Sequence, residues 1–89
     1  MQISIEVSLY PLSENFISLI DNFISCLKKC DSIEVRANNM STRLFGEFDD
    51  IIKILTVEME KTFKNETNSA FSLKIVNGDS RKYDIEDRA

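Results

Sequence analysis

The sequence predicts an α+β fold with the element order βαββαβ, and three observations carry that prediction. Residues 2–10 and 71–75 alternate apolar and polar side chains at strand period. Residues 16–27 and 51–63 instead repeat apolar residues at helical period. Between these helical stretches lie two short β-type runs joined by Asn38-Asn39, the sign of a hairpin.

In the first strand Ile3, Ile5, Val7 and Leu9 face one way, and Gln2, Ser4, Glu6, Ser8 and Tyr10 face the other. Pro11 lacks a ladder donor and is expected to end the strand. Ser13 is the expected N-cap of the first helix, with Glu14 well placed near its positive end. That helix would bury Phe16, Ile20, Phe23, Ile24 and Leu27, and Lys28 and Lys29 suit its C-terminus.

Residues 33–38 read as the second strand, and Asn38-Asn39 as the turn, because asparagine tolerates left-handed backbone. Residues 40–47 return as the third strand, where Gly46 marks a bulge or a close backbone approach. Asp49 or Asp50 starts the second helix, whose stripe is Ile51, Ile52, Leu55, Met59 and Phe63. The last strand directs Phe71, Leu73 and Ile75 inward, and Ser72 and Lys74 outward. Residues 1–77 thus form one domain, while the polar stretch 78–89 carries little core signal and is expected to fray or to serve assembly.

This order is the split-βαβ, or ferredoxin-like, arrangement: two helices on one face of a four-stranded antiparallel sheet, with the first and third strands central. The other face is left open and carries Ser4, Glu6, Ser8, Tyr10, Ser41, Arg43, Phe45 and Lys74. Two aromatic rings and a central-strand carboxylate on an open face suggest that another sheet packs there. A homodimer or homotetramer through this face is therefore expected, and assembly is a natural source of stability for so short a chain.

Composition narrows the function. The net charge is −4 and there is no dense basic stripe, which argues against nucleic acid as a partner. Histidine is absent, which removes the commonest general base and metal ligand together. Cys26 and Cys30 lie four apart, outside the redox spacing, with nothing to complete a zinc site. They read as free thiols beside a buried helix face, as in a reducing compartment. No Gly-rich phosphate loop follows a strand. No stretch approaches the ~20 apolar residues of a membrane span, and Met1 leads into a strand without a basic leader. The expectation is a cytoplasmic, non-catalytic protein with no cofactor, metal or membrane contact.

Two runs carry a family resemblance. Ser8-Leu9-Tyr10-Pro11-Leu12, followed by Asn15-Phe16-Ile17-Ser18, resembles the opening of each repeat in the YkoF family. Met40-Ser41-Thr42, then Leu44 and Gly46, with Asp50 opening a helix, resembles the same family further along. The resemblance spans residues 4–63 and implies a ferredoxin-like protein that binds thiamine or its hydroxymethylpyrimidine moiety. YkoF itself carries two such domains in tandem, so a homodimer would reproduce the pair. Three positions differ from the pattern common in the related single-domain group: Asn38-Asn39 stands in place of Gly-Pro, and Phe45 in place of an acid before the glycine.

The resemblance points to Ser41 and Thr42 as ligand contacts, with Ser8 and Tyr10 from the adjacent strand and the Asn38 amide as companions. Thiamine needs polar partners for its aminopyrimidine, an apolar or aromatic wall, and negative charge for its thiazolium. Glu6 could face that cation, or pair structurally with Arg43 or Lys74 across neighbouring strands. Ser41 and Thr42 could equally close the hairpin through local backbone bonds. The alternative function is an oligomeric scaffold or regulatory module whose open face serves assembly alone.

Overall fold

A computed structural model describes residues 1–12, 14–65 and 68–83. Its elements run β1 (Gln2–Pro11), α1 (Phe16–Lys28), β2 (Glu34–Ala37), β3 (Thr42–Glu47), α2 (Phe48–Asn65) and β4 (Ser69–Asn77), then a short 3-10 turn over Ser80–Tyr83. The four strands form one antiparallel sheet in the order β2-β3-β1-β4, so β1 and β3 are central. The α+β, βαββαβ architecture is the one the residue periodicity predicts.

The alternation of β1 explains the core. Ile3, Ile5, Val7 and Leu9 are buried and pack with Leu44 of β3, Phe23 and Leu27 of α1, and Ile51 and Leu55 of α2. Helix α1 begins at Phe16 with Asn15 as N-cap; the expected cap Ser13 lies outside the described residues. Only Phe23 and Leu27 of its stripe are fully buried, because the first turn of α1 runs past the packed part of the sheet and leaves Phe16 half exposed.

Local expectations meet the structure at three points. β1 ends at Pro11, as expected; the proline still pairs with Ser69, and just beyond it Leu12 donates its N–H to the Asn68 carbonyl at 2.9 Å. The hairpin at 38–41 uses no left-handed asparagine, since no described non-glycine residue has positive φ. Instead the Asn38 side-chain oxygen accepts the N–H groups of Met40 and Ser41 at 2.7 and 2.9 Å. Gly46 sits in an unbroken register, so it marks a close approach: a Cβ there would lie 3.3 Å from Ile33 Cγ2.

The face opposite the helices is partly covered by the chain itself. Ser4 donates its hydroxyl to the Gly78 carbonyl at 2.9 Å and accepts the Ser80 N–H at 2.8 Å, pinning residues 78–80 across β1. Gly78 makes the required bend at φ +97°, a conformation that L side chains rarely adopt. Arg81 then stacks over Phe45, 4.8 Å from the ring centroid, with Arg36 at 5.4 Å beside it. Phe45 is therefore only 2% exposed within a single chain. Arg81 also meets Glu34 at 3.1 Å and Asp79 at 2.7 Å, and its guanidinium holds the Asp79 carboxyl down at about 2. Residues 78–83 are thus a folded strap; residues 84–89 lie outside the described set.

Candidate functional site

The site is produced by a mismatch of strand lengths. Antiparallel ladders alternate bonded and non-bonded pairs, so each strand residue sends its N–H and C=O to one side only. Phe48 donates to the Met1 carbonyl at 2.9 Å, continuing the β1/β3 register, so odd-numbered β1 residues point their main-chain groups toward β3. That ladder ends at Val7 opposite Thr42, whereas β1 runs on to Pro11. Leu9 and Pro11 therefore face a gap where β3 is missing. Pro11 has no N–H to waste there, which is why a proline is tolerated as the last residue of the strand. Leu9 does have one. Its N–H and C=O find no hydrogen-bond partner among the described residues, although the residue is only 8% exposed.

A cleft of about 370 Å³ occupies this gap, within the size range of small-molecule pockets. Val7 and Leu9 line it from the helix-covered side of β1, with Phe16, Ile20, Phe23 and Ile24 of α1 forming the facing wall. Ser8, Tyr10, Asn38, Ser41 and Thr42 supply the polar lining, together with the 38–41 loop backbone. None of the described residues lining the cleft is charged.

Five of the six residues singled out from sequence are thus gathered round one cleft. Thr42 is buried opposite Val7. Ser41 lies at the loop end and donates its hydroxyl to Glu6 Oε2 at 3.1 Å. Ser8 reaches the Met40 carbonyl at 3.4 Å. Tyr10 stands half exposed on the rim. The side-chain oxygen of Asn38 is committed to its own turn, so this residue shapes the loop. Glu6 stands outside the cleft, behind Ser41, with Lys74 at 4.0 Å; opposite β1/β4 partners in register account for that pair.

Sequence reasoning missed the wall. Phe16, Ile20 and Ile24 read as ordinary core positions, because a helical stripe looks the same whether it meets a sheet or a gap. One signal was present: Leu12, Ile17 and Met40 are apolar residues that the core does not need, and all three are exposed. Leu12 and Met40 sit on the cleft lining. The main-chain groups of Leu9 carry no sequence signal of their own.

Comparison with known proteins gives a consistent result. No curated protein matches the chain. Among solved structures, a Streptococcus pneumoniae protein is 26% identical over the whole of both chains, with a TM-score of 0.83. A hypothetical protein of Methanocaldococcus jannascii is 27% identical over 98% of this chain and 91% of its own, with a TM-score of 0.77. A Thermotoga maritima protein, named for a proposed part in thiamine biosynthesis or salvage, shares the fold at 15% identity (TM-score 0.79; 88% of this chain, 85% of that one). The YKOF-related family matches residues 2–77, from the first residue of β1 to the last of β4, and the chain belongs to that family.

Proposed function

We propose that this protein binds thiamine through its hydroxymethylpyrimidine moiety, or binds that moiety alone, as a non-catalytic carrier or salvage component. Family membership and the thiamine-related name of one structural neighbour support a thiamine-related role. The observation that carries the finer reading is the unpaired main chain of Leu9 inside an uncharged, apolar-walled cleft.

A buried N–H and C=O without partners demand a ligand or water, since leaving such groups unpaired costs about 1–3 kcal/mol each. An aminopyrimidine edge offers an acceptor ring nitrogen beside an amino donor, the complement of one strand residue's N–H and C=O. The ring then lies between Phe16 and the apolar side chains of β1, while the Ser41 and Thr42 hydroxyls meet its polar substituents. A neutral pyrimidine suits a lining without charge. The thiazolium extends to the rim near the Tyr10 ring, which attracts cations through its π face.

Calorimetry on the full chain tests this with three probes: thiamine, hydroxymethylpyrimidine, and the pyrimidine lacking its amino group. The first two should bind, and the third should bind at least tenfold more weakly. Absence of heat with the first two at millimolar concentration refutes the reading. Equal affinity for all three refutes the Leu9 pairing. Under the alternative, a ligand-free assembly module, Ser41→Ala with Thr42→Ala changes nothing measurable.

A further inference from the structure

The open face of the sheet carries a row of charge that the strands set in register. Arg43 of β3 lies opposite Glu6 of β1 on one side and Arg36 of β2 on the other. Glu6 in turn lies opposite Lys74 of β4. Three cations and one carboxylate thus cross the sheet side by side. The whole chain has a net charge of −4, so this row is a local feature and not part of a generally basic surface. Like charges directly opposite one another, as in the Arg36/Arg43 pair, destabilise a sheet unless a counter-charge joins them.

The four side chains are not equally provided for. Arg36 pairs with Glu34, and the Lys74 amine lies 4.0 Å from Glu6 Oε1. The second oxygen of Glu6 accepts the Ser41 hydroxyl at 3.1 Å. Arg43 takes part in none of these pairs, and its Nε is buried with no hydrogen-bond partner among the described residues. A guanidinium does not shed its proton to escape such a position. A buried charged donor left unpaired is among the costliest groups in a fold, so this one calls for an acceptor.

A hollow of about 220 Å³ lies beside it, lined by Glu6, Arg43, Phe45, Lys74 and Val76 and bordered by Ser80 of the strap. We propose that this hollow binds a small oxyanion, a carboxylate or phosphate group, held by the Arg43 guanidinium with the Lys74 ammonium as the second charge. The planar fork of arginine matches both groups through two parallel N–H···O bonds. Its volume is below that of ordinary small-molecule pockets, which favours a compact ion over a larger ligand.

The lining explains how the ion enters and what limits it. The Lys74 side chain is 75% exposed, so it is the wall that swings aside to admit an oxygen to Arg43 Nε. Phe45 and Val76 give the hollow an apolar side, where a charge-assisted hydrogen bond is stronger than in open water. Glu6 stands between the two cations by register and opposes any anion, so this carboxylate sets the affinity. The hollow lies on the open face, whereas the apolar walls of the Leu9 cleft lie on the helix side. The two sites are therefore separate, and the oxyanion site stands whether or not the cleft takes a pyrimidine.

Titration of the nitrogen-15-labelled full chain with inorganic phosphate, acetate and chloride, at constant ionic strength, tests the proposal through the Arg43 Nε–H resonance. Phosphate or acetate should move that resonance along a saturable curve, and chloride should not. The stronger of the two oxyanions identifies a phosphate or a carboxylate as the group recognised. Arg43→Lys should weaken binding about tenfold, because an ammonium lacks the fork; in that variant the Ser80 amide reports the titration. Glu6→Gln should strengthen it several-fold by removing the opposing charge. Should Arg43→Lys fail to fold, Lys74→Gln alters only an exposed side chain and must weaken binding several-fold by itself. A shift that never saturates, or that chloride reproduces, overturns the proposal. So does unchanged affinity in Lys74→Gln, or weaker binding in Glu6→Gln.

Discussion

The two ends of the β1/β3 pair are built from the same ladder and behave oppositely. At one end the chain closes tightly: Phe48 donates to Met1, the Met1 amine meets Glu47 at 2.8 Å, and Gly46 lets Ile33 approach. At the other end β3 stops at Thr42, β1 continues, and a cleft of about 370 Å³ remains. The difference is one of connectivity. Helix α2 starts immediately after β3, whereas four loop residues separate Ala37 from Thr42. A strand that loses its neighbour keeps its hydrogen-bonding groups, and those groups become available to something else.

The comparison breaks most severely at its shared middle. Leu44 is fully buried between the two ends, and Leu44→Ala should cost about 2–5 kcal/mol in urea unfolding through transfer and cavity terms. Gly46→Val should strain the closed end alone, costing about 1–3 kcal/mol, because the branched side chain must displace Ile33 and the Ser32 carbonyl. Ligand affinity should be unchanged in that variant. Asn38→Ala removes the acceptor that organises the open end and should cost about 1 kcal/mol. Unlike Gly46→Val, it should weaken pyrimidine binding as well.

Thr42→Val keeps the shape of the cleft wall while deleting the hydroxyl. Stability should move by less than about 1 kcal/mol, and pyrimidine affinity should fall about tenfold, or 1.4 kcal/mol. The smallest effect belongs to the strap, which crosses the open face of the sheet beside the closed end. The carboxyl of Asp79 is held from its ordinary 3.8 down to about 2, chiefly by the hydrogen bond from Arg81. Its contribution is therefore complete above pH 3.8 and is lost as pH falls through about 2. Amide protection at Ser80 should follow that curve, and Asp79→Asn should abolish the dependence.

How far sequence carried this picture depends on whether the signal is periodic. The β1 alternation is legible residue by residue, because every odd position packs against the helices. The β4 alternation is equally regular, yet two of its three inward residues are substantially exposed, since periodicity gives the face and not what covers it. The strap was invisible for another reason. Arg81 works through Phe45 and Glu34, thirty-six and forty-seven positions away, and no local pattern reports such a contact. In the cleft, sequence and resemblance found the hydroxyls, while the walls and the Leu9 backbone emerged only with the fold.

The position of Tyr10 has an optical consequence. The chain contains no tryptophan and two tyrosines, and one of them stands on the rim of the cleft. Ultraviolet emission from this protein is therefore tyrosine emission, unmasked by energy transfer to indole. A heteroaromatic guest arriving beside Tyr10 should quench part of it. The protein thus carries its own reporter of occupancy, and Tyr10→Phe supplies the dark control.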